Sequence, residues 1–140
     1  MANLQFIAQR ANANMHRTKR FRMLEEMDRT MDMRNDARVK HIVMWNLLAD
    51  SAGNKTASIE AVKTKFEALR GIVPGLLHVE VGVDFSRVDY ACDVVLYTEF
   101  ENEEALAAYA EHPAHLKIRD ELQGVRVQRY QVDYTPNAGE

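Results

Sequence analysis

The run VKHIVMWNLL over residues 39–48 does most to limit the fold, because it is apolar on both parities. His41, Val43, Trp45 and Leu47 fall on one side, and Ile42, Met44 and Leu48 on the other. A half-exposed strand alternates, whereas a strand covered on both faces reads this way. Any sheet that takes in this segment has to be covered twice.

The following segments supply the first cover. Residues 50–56 have a loop composition, and Ser58 or Thr56 is placed to cap a helix with apolar positions at Ile59, Val62, Phe66 and Leu69. Gly71 fits the helix stop, and Pro74-Gly75 supplies a turn. A second strand alternates, with Leu77, Val79, Val81, Val83 and Phe85 on one side and His78, Glu80, Gly82 and Asp84 on the other. CDVVLYTEF follows as its hairpin partner. Asn102 is suited to cap a short helix with Leu106 and Tyr109 inward, and Pro113 opens another in which His115, Ile118 and Leu122 share a face. Gly124 ends it, and VRVQRYQVDY is the last strand.

The order β-α-β-β-α-α-β predicts an α+β fold: a ferredoxin-like four-stranded antiparallel sheet with helices on one face. The other face keeps apolar side chains that would form an exposed patch. Pairing two sheets across a twofold axis covers both at once, so a homodimer is expected on physical grounds.

Composition narrows the partners. The 140 residues fit one domain with a real core. Net charge is −3: residues 1–36 carry seven Lys/Arg against five Asp/Glu, and residues 37–140 eleven against sixteen. A mildly acidic domain gives no reason to expect nucleic acid. Apolar runs of a few residues cannot span a bilayer, and no h-region follows the N-terminus. Cys92 is the only cysteine, which excludes an internal disulfide and a Cys-rich metal site, and suits a reducing, cytoplasmic setting.

Residues 1–37 read as an N-terminal extension, helical or partly disordered, before a domain over 38–135 and a tail over 136–140. Residues 1–24 contain no acid and carry Arg10, Arg17, Lys19, Arg20 and Arg22, while Leu24, Met27 and Met31 have helical spacing. Three readings compete: a solvated helical arm, translation from an upstream start with Met31 or Met33 as initiator, and a targeting peptide, although serine is absent from the stretch.

Several segments together resemble the stress-responsive A/B barrel (Dabb) family. They are Val39-Lys40-His41-Ile42-Val43, Ile72-Val73-Pro74-Gly75, Tyr90-Ala91-Cys92-Asp93, Phe100 through Leu106, Tyr109-Ala110-Glu111-His112-Pro113-Ala114-His115, and Val132-Asp133-Tyr134. The resemblance implies a dimeric α/β barrel, a link to stress responses in some members, and no assigned activity in many. Some plant members cyclise linear polyketides through a Tyr and a His, at positions corresponding to Tyr109 and His115, with a further pocket histidine at His41. Some members hold a divalent cation on backbone carbonyls corresponding to Arg70, Val73 and Leu76.

Two accounts of these residues stand side by side. In one, His115 is a general base and Tyr109 a donor where oxygen charge develops, with His41 and His112 lining a ligand pocket and no metal or cofactor required. In the other, Tyr109 covers the sheet, His115 bonds within the turn around Pro113, and His112 caps a helix junction. His41, His112 and His115 could also surround a metal, but no Cys or carboxylate completes a zinc spacing, so no metal is expected. Glu103 and Glu104 suit the positive end of their helix. Cys92 reads as a buried small hydrophobe, and Trp45 as core or barrel filling. Two functions follow as expectations: a dimeric small-molecule-binding protein taking a small hydrophobic or β-keto ligand, or a cofactor-independent, polyketide cyclase-like or lyase-like enzyme.

Overall fold

The structure, a computed structural model, describes residues 15–29 and 37–136. The chain divides into two compact units, Met1–Asp36 and Ala37–Glu140. In the first, residues 15–29 form helix α1, whose side chains are exposed. Leu24 and Met27 of the expected spacing lie on it. Met31, Met33 and residues 137–140 lie outside the described residues.

The second unit runs β1 (Val39–Leu47), α2 (Thr56–Glu67), β2 (Leu76–Val83), β3 (Val94–Phe100), α3 (Glu103–Glu111), α4 (Pro113–Glu121) and β4 (Arg126–Tyr134). The sheet order is β2-β3-β1-β4 with every neighbouring pair antiparallel, the ferredoxin-like arrangement. Val39, His41, Val43, Trp45 and Leu47 point to the helix side with Val94, Leu96, Thr98 and Phe100 of β3. They meet Val62 and Phe66 of α2, Tyr109 of α3, and Ile118 and Leu122 from the α4 end. Trp45 stacks on Phe66 with ring centroids 5.3 Å apart.

Three local expectations need correction. Neither Ser58 nor Thr56 caps α2. Asn54 Oδ1 accepts from the Thr56 backbone N–H at 2.9 Å, and the Ser58 hydroxyl donates instead to the Leu48 carbonyl at 2.8 Å. In β2 the register shifts between Leu76 and His78, so Leu76 joins the core and Leu77 is exposed; Val83 and Phe85 run past the helix cover and are also exposed. Cys92 precedes β3 and is only partly buried.

The Pro74-Gly75 turn locks α3 to the sheet. Gly75 has φ +79°, and a Cβ there would sit 2.5 Å from Ala105 Cβ, so only glycine lets the turn lie against the helix. Asn102 caps α3 by accepting from Ala105 N–H at 2.8 Å.

The open sheet face carries Ile42 and Met44 of β1, Val95 and Tyr97 of β3, and Tyr130, Val132 and Tyr134 of β4. Met44, Tyr130, Val132 and Tyr134 are exposed in the single chain.

Candidate active site in the groove between β4 and the α3–α4 helices

Strand β4 is paired along β1, yet nearly all its residues are exposed, because the helices stop short of it. The gap forms a groove of two adjoining hollows, of about 550 and about 270 Å³, that share His41, Tyr109, His115 and Arg129.

Each functional side chain arrives there for a local reason. Tyr109 ends the inward stripe of α3 and is only 2% exposed. His112 is at once the C-cap of α3 and the N-cap of α4, its Nδ1 accepting from Ala114 N–H at 3.1 Å, and Pro113 occupies the first helical position. The sharp junction brings His115 back over Tyr109, with ring centroids 4.3 Å apart. His41 faces both from β1, 6.0 Å from the Tyr109 ring. Of the four expected site residues, His41, Tyr109 and His115 therefore meet. His112 does not join them, because its imidazole is spent on the cap and lines neither hollow. The three-histidine metal set does not assemble, and no cluster of three metal-ligating side chains occurs among the described residues.

The protonation pattern follows from partners. His115 Nδ1 lies 3.1 Å from the Ala110 carbonyl, which can only accept, so Nδ1 carries the hydrogen and Nε2 the lone pair. Burial, opposed by that hydrogen bond and aided by nearby Arg119, holds the His115 pKa below its ordinary value. Burial pushes the Tyr109 hydroxyl far up, against the lowering charges of Arg129 and Arg126, so it stays protonated. The Tyr109 hydroxyl has no hydrogen-bond partner among the described residues, and it is not sealed from solvent either. It is a free donor at the groove wall.

Strand β4 contributes residues to which the sequence assigned no role. Arg129, Gln131 and Asp133 alternate onto the helix side, opposite Trp45, Val43 and His41. They form a continuous row: Arg129 donates to Gln131 Oε1, Gln131 Nε2 donates to Asp133 Oδ2 at 2.9 Å, and Asp133 Oδ1 lies 2.5 Å from His41 Nδ1. The carboxylate fixes His41 with hydrogen on Nδ1, leaving Nε2 for the groove. The alternation Arg-Tyr-Gln-Val-Asp-Tyr was the available signal; its polar half faces the helices, which only the register reveals.

A larger hollow, about 760 Å³, lies on the opposite sheet face between Met44, Tyr130 and the exposed Phe85 and Tyr90. It is the uncovered sheet surface, remote in character from the His/Tyr chemistry.

The chain is similar in structure to several solved proteins. A dimeric protein of unknown function and ferredoxin-like fold from Bacteroides fragilis NCTC 9343 is 30% identical, with TM-score 0.63, covering 71% of this chain and 96% of its own. A hydroxynitrile lyase from Passiflora edulis is 17% identical, with TM-score 0.61, covering 73% of this chain and 95% of its own. The cofactor-independent oxygenase SnoaB from Streptomyces nogalater is 11% identical, with TM-score 0.57, covering 73% and 95%. Among curated proteins the chain has no significant match. Residues 39–136 match the family model of the stress responsive A/B barrel domain, and the chain belongs to that family.

Proposed function

We propose that the protein is a homodimer that binds a small, carbonyl-bearing hydrophobic molecule in the His41–Tyr109–His115 groove. The observation that carries this is the unpartnered Tyr109 hydroxyl at the wall of a groove large enough for a ring-sized ligand. The homodimer rests on the open face, where fully burying a large apolar side chain contributes about 1.5–3 kcal/mol before the costs of association. Charge does not oppose closure: Lys40 lies over the Tyr97 and Tyr134 rings at 5.9 Å from each, and Tyr97 donates to Glu99 at 2.7 Å. The dimeric relative from Bacteroides fragilis supports the same assembly. A reducing, cytoplasmic setting and a role in stress responses fit the lone cysteine and the family's name.

The neutral His115 beside a free hydroxyl favours a second reading, cofactor-independent proton abstraction of a cyclase-like or lyase-like kind. His115 Nε2 takes a proton from the carbon next to a carbonyl. The C–H electron pair moves to form the enolate, whose oxygen accepts from Tyr109. His41, held by Asp133, lines the pocket and is positioned to pass a proton onward. The fold also hosts a lyase and an oxygenase, so the scaffold tolerates chemistry, as an analogy only. The test is hydrogen–deuterium exchange at the α-carbons of uncharged phenylacetone, followed by NMR. The wild-type chain accelerates it, and Tyr109→Phe and His115→Ala each lower the rate at unchanged melting temperature. Binding without accelerated exchange leaves only the first reading, and equal loss of fold and exchange removes the catalytic one.

A further inference from the structure

Three arginines, Arg119 of α4 and Arg126 and Arg129 of β4, line the smaller hollow beside Tyr109 and His115. Among the described residues none of them has a carboxylate within ion-pair distance. Asp133, in the adjoining hollow, is paired with His41, and the other paired carboxylates are held by lysines and His78 outside both hollows.

The convergence depends on an irregularity in β4. Arg126 and Arg129 are three residues apart, and simple alternation sends such a pair to opposite faces. The register shift at Asn46 and Leu47 skips Val127, so that Arg126 stands across from Leu47 and Arg129 across from Trp45. Leu47 and Trp45 both face the helix side, and so the two arginines do as well. A bulge re-aims side chains in this way at the expense of one ladder position.

Arg126 is then half-buried, its guanidinium carbon 5.1 Å from the Trp45 ring centroid and 6.0 Å from that of Phe66. The aromatic faces support the cation but accept none of its N–H groups, which have no hydrogen-bond partner among the described residues. Burial, with the charges of Arg129 and Arg119, lowers its pKa from the usual arginine value, although it remains a cation. A half-buried guanidinium facing other cations is relieved most directly by an anion, and its fork of donors matches a carboxylate.

We infer that the groove selects a small organic acid, whose carboxylate sits on Arg126 with Arg129 and Arg119 while its carbonyl end meets Tyr109 and His115. This rests on the groove being a small-molecule site, and it adds the substrate class: keto or aryl acids over neutral ketones and esters. Tryptophan and phenylalanine beneath the guanidinium supply the apolar floor for the carbon skeleton.

The test is calorimetric titration of the full chain with phenylacetate and with its neutral isostere phenylacetamide. Phenylacetate binds about tenfold tighter, the value of one charge-assisted contact, and the preference shrinks as salt is raised. Arg126→Met combined with Arg129→Met erases the preference. Arg126→Lys keeps the charge without the fork, retains part of it, and serves if the double variant does not fold. Equal affinity for the two probes, a preference that survives in the double variant, or no binding of either overturns the inference. Exchange of phenylacetone by the wild-type chain is read in parallel. Exchange with no preference between the probes sinks the anion site alone, whereas preference without exchange sinks the catalytic reading alone.

Discussion

His115 has its charge state set by burial, and the consequence for pH is directional. Its folded pKa lies below the ordinary value of 6.5, so between the two the unfolded chain binds a proton that the folded chain does not. The stability it contributes is present above 6.5 and is lost as pH falls through that window toward the folded value. The same depression keeps the base available, so a pH–rate profile of phenylacetone exchange should hold its plateau to below pH 6.5 and fall only beyond it. Removing the base in His115→Ala should cost about a hundredfold or more at the plateau. Asp133 acts through His41. Asp133→Ala strands the Nδ1–H of a side chain that is 6% exposed, and urea unfolding should show a loss of about 1 kcal/mol, moderated by the partial exposure of the carboxylate. His115 and Tyr109 were marked out in the sequence by the family resemblance, with helix periodicity placing both on inward faces. Arg126 and Arg129 were not, and Asp133 stood only within the Val132-Asp133-Tyr134 segment without a role, because nothing local says which side of β4 is the groove.

At the scale of elements, two junctions and one bulge position the site. The His112-Pro113 corner folds α4 back on α3 and stacks His115 on Tyr109. The Gly75 turn seats α3 against the sheet: Glu101 N–H donates to the Gly75 carbonyl at 2.9 Å, one residue before the Asn102 cap. Gly75→Ala meets both an unfavourable positive φ and Ala105, and should destabilise by at least about 2 kcal/mol. Adding Ala105→Gly should recover the steric part and leave the backbone part, a difference that denaturation of the double variant measures. Helices α2 to α4 and strand β2 followed from periodicity, since each buries one face, whereas β1 was read from apolar residues on both parities. The β2 and β4 bulges did not, because a bulge answers to the partner strand's register and leaves no local signature. For that reason Leu76 and not Leu77 enters the core.

For the whole molecule, the open face governs assembly. Size-exclusion with light scattering should give twice the chain mass, and Val132→Glu, placed opposite Ile42 on that face, should yield a folded monomer. A wild-type monomer would remove the homodimer. The core of the second unit lies between Val39 and Val125, so deleting residues 1–30 should shift the melting temperature by no more than about 2–4 °C. By itself the sequence determined the element order, the ferredoxin-like sheet and the helix face of each amphipathic segment. Those follow from periodicity, capping and chain order, which are properties of neighbouring residues. Only the tertiary structure decided that His112 is a cap, that β4 turns its polar side to the groove, and that a skipped residue brings the arginines to one end of it. Those depend on strand register and on where the helices stop, and both are settled by packing between segments distant in the chain.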